Sequence, residues 1–267
     1  MLLIKIGGGK DINRDFIAED IATLIQRGEK IVIVHGASAT RDEIADKLGA
    51  PTKTMTSPSG ISSVYTDKKA MDIFLMSYVG LVNKRMVASL QKHGVNAVGL
   101  SGIDGRLWEA RRKNVVYAVE NGKTKLVKDN LTGKVEKINS DLIELLIKHG
   151  YVPVICPPAI SFGHEIVNTD NDFASATMAE ALGVKEMVVL FEAPGMLKDV
   201  HDEESVIATI EKEKLGDYLP YAVGRMKKKL LGTQTAFDRG VRKVYWGDGR
   251  IEHPIFNALN GIGTVIS

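Results

Sequence analysis

A single cysteine, Cys156, leaves the 267-residue chain no internal disulfide and no thiolate cluster for a metal. Its apolar neighbours mark it as a core residue. Aromatic residues make up only 6% of the chain and the formal net charge is +2. The basic residues therefore lack the interleaved rings and strong positive field that nucleic-acid binding uses. Nothing approaches the roughly 18 uninterrupted apolar residues of a membrane span. The N-terminus runs directly into a strand-like segment, without the basic stretch, apolar stretch and cleavage site of a secretory signal. The expectation is a cytoplasmic protein with no membrane segment. What is present is ordinary for a globular chain: 44% hydrophobic and 25% charged residues, in a length that suits one large α/β unit or two modest domains.

Strand-like and helix-like runs alternate from end to end. This predicts an α/β fold, a three-layer sandwich with a mainly parallel sheet and helices on both faces. Strands are expected at 2–6, 30–34, 97–100, 152–156 and 188–192, and helices at about 15–27, 41–48, 67–78, 81–92, 140–149, 173–182 and 230–239. Residues 56–60 read as a turn and 157–167 as a loop. Segments 115–120 and 123–127, joined by Asn121-Gly122, read as a hairpin; it interrupts the alternation and is expected to project from the sheet. A boundary near Ile166 divides one domain into lobes of about 1–165 and 166–267.

Two lysines carry the chemical argument. Lys5 sits near the end of the apolar run 2–6, and Gly7-Gly8-Gly9 then forces a turn whose N–H groups suit anionic oxygens. His35-Gly36-Ala37-Ser38 repeats the arrangement before a helix. Each turn alone reads equally well as a plain βα connection. Lys229 ends Gly-Arg-Met-Lys-Lys-Lys, and a basic run at a helix start is unfavourable with the helix dipole, so an anion is expected nearby. A solvated basic face is the alternative. The run 168–172, Asn-Thr-Asp-Asn-Asp, heads a helix with more polar side chains than capping needs. A carboxylate there could orient two ammonium groups while leaving them charged. The turn 193–196 after strand 188–192 suits a nucleotide face, or is merely structural.

Lys5-Ile6-Gly7-Gly8, His35-Gly36, Gly99-Leu100-Ser101-Gly102, residues 168–172 and Gly224-Arg225-Met226 followed by Lys229 resemble, in order and spacing over nearly the whole chain, the amino acid kinase family. The strings at 66–69, 80–85, 101–107, 131–135 and 247–250 look most like the kinases that act on aminoadipate or glutamate linked to a LysW-type carrier. Thr132-Gly133 stands where acetylglutamate kinases usually show Val-Gly. The resemblance implies the amino acid kinase fold and transfer of the γ-phosphoryl group of ATP, with Mg²⁺, to a side-chain carboxylate, giving an acyl phosphate. It implies Lys5 and Lys229 at the transferring phosphoryl group and Asp172 holding them. Gly7, Gly8, Glu192, Gly195 and Met226 fall to phosphate and nucleotide, and Gly36, Ala37, Val64 and Asn168 to the acceptor. No metal-ligating residue is implied. It further implies an acceptor-binding N-terminal lobe, a nucleotide-binding C-terminal lobe and a homodimer.

The chain departs from that pattern at several points. Val64 of Val64-Tyr65-Thr66 replaces an Arg that in the family grips the acceptor's α-carboxylate, so either Arg41 substitutes from another direction or other groups hold that end of the acceptor. Ala37 replaces a glycine, tolerable unless the backbone there needs positive φ. Asn171 stands where Gly or Ala is common and tolerates left-handed backbone. Phe191-Glu192 replaces Ser-Asp at the nucleotide strand end. LysW-type carriers are small and acidic, and Arg106, Arg111, Arg112, Lys113, Lys123, Lys125 and Lys128 on or beside the hairpin form an expected docking patch. The competing readings are an N-acetylglutamate kinase acting on the free small molecule and a non-catalytic amino-acid-sensing relative. A dinucleotide-binding dehydrogenase is disfavoured, because Gly7-Gly8-Gly9 lacks the spaced glycine fingerprint.

Overall fold

Alternate residues of the first strands feed two separate cores, and the fold follows from that division. The computed structural model describes residues 1–267 except Asn121, Val223 and the Glu120 side chain. In β1 (Leu2–Ile6), Leu2, Ile4 and Ile6 join one apolar cluster and Leu3 the other. A strand buried on both faces belongs inside a parallel sheet. Helix α1 (Arg14–Gln26), capped by Asn13, leads to β2 (Ile31–His35), which pairs parallel to β1, and α2 (Ser38–Lys47) follows. A short hairpin, β3 (Thr54–Thr56) and β4 (Ser62–Val64), precedes α3 (Lys68–Phe74). A π-helical stretch Leu75–Val82 continues α3 without a break into α4 (Asn83–Lys92).

Then come β5 (Ala97–Gly102), β6 (Trp108–Arg112), the separate hairpin of β7 (Val116–Glu120) and β8 (Lys123–Val127), β9 (Gly133–Ile138), α5 (Ser140–Lys148), β10 (Val152–Ser161) and β11 (Ile166–Val167). The rest is α6 (Asn171–Ala181), β12 (Glu186–Phe191), β13 (Thr209–Ile210), the 3₁₀ segment Lys212–Tyr221, α7 (Arg225–Asp238), β14 (Lys243–Asp248), α8 (Pro254–Leu259) and β15 (Thr264–Ile266). The main sheet runs β13-β15-β14-β12-β1-β2-β10-β6-β9, with β5 and β11 also paired to β10. Its centre is parallel; β6–β9, β10–β11 and β14–β15 are antiparallel. The larger core packs under α6 and α7, the second under α1, α4 and α8, completing the three layers. Cys156 is fully buried in a third cluster with Ala37, Phe74 and Tyr78, and burial pushes its thiol pKa far up.

Several expectations are corrected. The helices expected at 67–78 and 81–92 are one continuous run, because Gly80 falls within the π-helical turn and does not break it. That run, Lys68–Lys92, is long and apolar enough to cross a membrane by length and composition, and Met71, Phe74, Tyr78, Val82, Met86 and Leu90 bury its apolar side in the fold. The loop expected at 157–167 shrinks to a turn at 162–165 between the second half of β10 and β11; Pro157 and Pro158, joined by a cis bond, have no ladder partner, and pairing resumes at Ala159. Turn 56–60 is flanked by β3 and β4. Strands β6 and β9 were not expected. The hairpin of β7 and β8 stands apart from the sheet as predicted; of its turn, Gly122 has φ of 73° and Asn121 lies outside the described residues.

Candidate active site

β1, α6 and α7 deliver the three charged groups to one place. Lys5 alternates with Ile4 and Ile6 and so leaves β1 on the α6–α7 face, 2% exposed. Asp172 lies in the first turn of α6, whose N-cap Asp170 accepts from the Asp172 N–H. Lys5 Nζ stands 2.5 Å from Asp172 Oδ1. Lys229, one turn into α7 and 8% exposed, has its ammonium beside that of Lys5 and 5.2 Å from the centre of the Phe191 ring. The two lysines thus converge.

Their electrostatics diverge. Burial opposes the Lys5 charge, and Asp172 more than offsets it, raising the pKa above its ordinary value. Burial and then the Lys5 charge depress Lys229 to about 8. Burial would raise Asp172, but Lys5 and Lys229 pull it below the usual carboxylate range. The site is an ionised carboxylate shared by one well-held and one poorly compensated cation.

The expected anionic compensation for the basic helix start is present. Helix α7 begins at Arg225, not near 230, so Lys227, Lys228 and Lys229 lie in its first turns. Lys228 pairs with Asp170 at 3.2 Å and Arg225 with Glu192 at 3.6 Å. Arg225 also donates to Ser38 Oγ at 3.1 Å. It therefore ties the start of α7 to the residue after β12 and to the start of α2.

The two glycine turns touch. A Cβ on Gly8 would lie 2.4 Å from the nitrogens of both Ala37 and Ser38, so only glycine permits the approach. The Gly8 carbonyl accepts from Ala39 N–H and Ser38 Oγ at 2.8 and 2.9 Å, and Gly7 N–H donates to Leu190. The N–H groups of Gly8 and Ser38 have no acceptor among the described residues. The Ala37 amide lies beside the Tyr78 hydroxyl. This is a concave run of main-chain donors near two cations, suited to phosphate oxygens.

The remaining expected residues scatter around that centre. Ala37 has φ of −152°, so no glycine is required, and its methyl is buried against Phe74 and Tyr78. Gly36 lies against Gly8 and the Asn171 amide. Asn171 is helical, not left-handed. Asn168 donates to Thr66 Oγ1 at 3.0 Å, so its amide is engaged within the fold, while the adjacent Thr169 hydroxyl is buried with no partner among the described residues. Val64 lines a cavity of about 320 Å³ with Arg41, Tyr65, Asp67, Ile73 and Phe74. Glu192 has its carboxylate over Gly9; Gly195 packs on Thr264, and Met226 leans on the core. Sequence reasoning missed Arg225 as a clamp, Asn171 and Tyr78 as neighbours of the second turn, and Gly232. An interior helical glycine such as Gly232 is a visible signal of close packing.

The docking patch needs a correction. Arg106 bonds His164 and pairs with Glu109, Arg111 with Glu136, and Arg112 with Glu165, so the three arginines brace the β6 region. Lys113, Lys123, Lys125 and Lys128 are exposed. So are Val115, Tyr117, Val119 and Leu126, and register puts Tyr117, Val119 and Leu126 on one face of the hairpin.

A parallel three-layer sheet whose strand ends gather two buried lysines, a carboxylate and two glycine turns has the make-up of a phosphotransferase. The chain belongs to the amino acid kinase family, whose sequence profile matches residues 1–246. It is 46% identical to LysW-aminoadipate kinase of Thermus thermophilus over the full length of both chains. It is also 46% identical to LysW-aminoadipate kinase of Deinococcus radiodurans, covering 100% of this chain and 91% of that one. A LysW-aminoadipate/LysW-glutamate kinase of Saccharolobus solfataricus is 31% identical, covering 100% and 99%. Among solved structures, N-acetylglutamate synthase of Neisseria gonorrhoeae superposes with a TM-score of 0.80 at 23% identity; this chain is covered completely and spans 59% of that one. Carbamate kinase of Giardia lamblia bound to AMP-PNP gives 0.65 at 16%, covering 99% of this chain and 97% of that one. These structural likenesses bear on the fold alone.

Proposed function

We propose that this phosphotransferase moves the γ-phosphoryl group of ATP to the side-chain carboxylate of aminoadipate, or glutamate, carried on a small acidic protein of the LysW type. The names of relatives at 46% identity over the whole chain support that acceptor class. The observation that carries the chemistry is the convergence of Lys5 and Lys229 on Asp172 beside the Gly8 and Ala37 amides.

The step forms a bond between a carboxylate oxygen and the γ-phosphorus and breaks the bond from that phosphorus to the bridging oxygen, releasing ADP. The acceptor is already an anion at neutral pH, so no general base is needed. The demand is to bring two anions together and to hold the charge that spreads over the phosphoryl oxygens. Lys5 and Lys229 meet that charge, and Asp172 keeps Lys5 ionised and aimed. Gly8 and Ala37 N–H groups take equatorial oxygens. Mg²⁺ enters the proposal as a counter-ion carried on the nucleotide's phosphates.

Residues up to about 165 form the acceptor lobe in this reading, and those from about 166 the nucleotide lobe, with Glu192, Gly195 and Met226 near the nucleotide. Arg41 and Val64 share the wall of the 320 Å³ cavity, one turn along α2 from Ala37. Arg41, only 8% exposed and paired through two of its nitrogens with Asp42 at 2.7 and 3.0 Å, is the guanidinium in that wall whose remaining nitrogen would meet the acceptor's α-carboxylate. The outer face of the β7–β8 hairpin, apolar and rimmed by Lys113, Lys123 and Lys128, meets the acidic carrier. A homodimer in the cytoplasm completes the proposal, and solution mass checks the assembly.

Hydroxylamine trapping of the acyl phosphate, run with free N-acetylglutamate and with free and carrier-linked aminoadipate and glutamate, tests chemistry and acceptor together. Carrier-linked aminoadipate or glutamate is expected to give the highest kcat/KM. Preference for free N-acetylglutamate would remove the carrier from the account, and no hydroxamate with any acceptor would remove the reaction.

A further inference from the structure

A fully buried polar pair sits beneath the second glycine turn, on the opposite side of the sheet from Lys5. His35 ends β2 and is 2% exposed; Asn83 begins α4 and is 0% exposed. The Asn83 amide nitrogen lies 3.1 Å from His35 Nε2 and donates to the Val154 carbonyl at 3.0 Å. Its oxygen accepts from Lys84 Nζ at 3.1 Å. A Cβ at Gly99 would fall 2.0 Å from that oxygen, so β5 is cut away to admit it. His35 Nδ1 lies 3.1 Å from the carbonyl of Gly36.

These contacts settle the ring's protons. An amide NH₂ only donates, so Nε2 accepts; a carbonyl only accepts, so Nδ1 carries the hydrogen. Burial, opposed by the Gly36 carbonyl and reinforced by Arg14 and Lys84, pushes the imidazole down to about 4. The ring is a fixed neutral donor at physiological pH.

The peptide that joins Gly36 to Ala37 is planar, with its carbonyl and N–H pointing in opposite directions. Holding the carbonyl from below therefore turns the Ala37 N–H upward, toward Gly8 and the Tyr78 hydroxyl. We propose that His35, oriented by Asn83, is a positioning residue that fixes this peptide so that the Ala37 N–H faces the transferring phosphoryl group. An apolar side chain would fill the same space without burying polar atoms, which cost stability unless every one is bonded. The pair rests on the phosphoryl-transfer reading of the site and deepens it: the donors of the second turn are aimed from the far side of the sheet.

Asn and Gln at position 35 separate aim from bulk. The amide nitrogen of Asn superposes on Nδ1 and keeps the bond to Gly36, whereas that of Gln superposes on Nε2 and loses it. Turnover by hydroxamate trapping and the affinity of ADP with aluminium fluoride, a mimic of the phosphoryl group in transit, are measured for wild type, His35→Asn, His35→Gln and Lys229→Ala. The expectation for His35→Gln is a kcat lower by about ten- to a hundredfold with KM for ATP within about twofold. Its affinity for ADP with aluminium fluoride falls in parallel while ADP alone binds as before, and His35→Asn recovers most of both. Equal losses in both His35 variants, a change confined to KM, or full activity in His35→Gln overturns the proposal while leaving the reaction intact, provided Lys229→Ala is impaired. A wild type that neither turns over nor binds the mimic more tightly than ADP overturns both.

Discussion

Lys229 is the residue whose charge the free protein holds least comfortably. Its pKa of about 8 means that part of the population is neutral in mildly alkaline solution until an anion arrives. The value of kcat/KM is expected to fall as pH rises through about 8, and kcat to fall later, because bound phosphate restores the proton; rates from pH 6.5 to 9.5 check both. Stability moves the other way. Folding lowers this pKa from 10.5, so between about 8 and 10.5 the unfolded chain binds more protons than the native one, and the Lys229 contribution becomes less unfavourable as pH rises. Lys229→Met should therefore melt above wild type at pH 7 and by a smaller margin at pH 9. Lys229→Ala should remain folded and lose about 10²–10³-fold in kcat, or about 2.7–4 kcal/mol of barrier lowering. At the acceptor end, Arg41→Gln should raise KM for the carrier-linked acceptor about tenfold, as loss of a charge-assisted bond does, and leave KM for ATP unchanged.

Among elements, the contact between α6 and α7 brings Asp172 and Lys229 together, and Gly232 sets its closeness. A Cβ there would lie 2.8 Å from Asp172 Cβ. Gly232→Ala is expected to force the helices apart, to cost about 1–3 kcal/mol in a denaturant melt despite the better helix propensity of alanine, and to lower kcat. A more stable variant with unchanged kcat would deny the contact its role. Elements differ in how far they were legible. Those with continuous apolar runs or caps, such as β1, β2, β12, α1 and α5, stood within a few residues of their expected ends. Strand β6, Trp-Glu-Ala-Arg-Arg, was hidden because Glu109 is buried against Arg106 and Lys137, a pairing that only the fold creates. Strand β10 was hidden past Cys156 by prolines that fall between two ladders, and β3 and β4 are too short to show a period.

For the whole molecule, the site is a tertiary fact. Lys5 and Lys229 come from opposite ends of the chain, and no local pattern joins them; each glycine turn alone read as an ordinary connection, the lysines and glycine turns together suggested an anion site, and the resemblance to a family supplied the roles. Asn83 was unreadable for a different reason, since a helical Asn shows nothing of the strand backbone it will bond. Carrier docking belongs to this scale too. The apolar face of the hairpin should make acceptor KM only partly sensitive to salt, whereas Lys123→Glu with Lys128→Glu should raise it severalfold and leave kcat unchanged. Salt-independent KM in wild type, or no effect of the double reversal, would move docking elsewhere.

The lone thiol has a practical corollary. Cys156 is sealed inside a cluster of Phe and Tyr rings and stays protonated, so maleimide reagents will find no native target on the folded protein. A cysteine introduced at Thr124, on the exposed hairpin, would take a single fluorophore without any background labelling. The dye's emission would then time each arrival of the carrier on an otherwise natural enzyme.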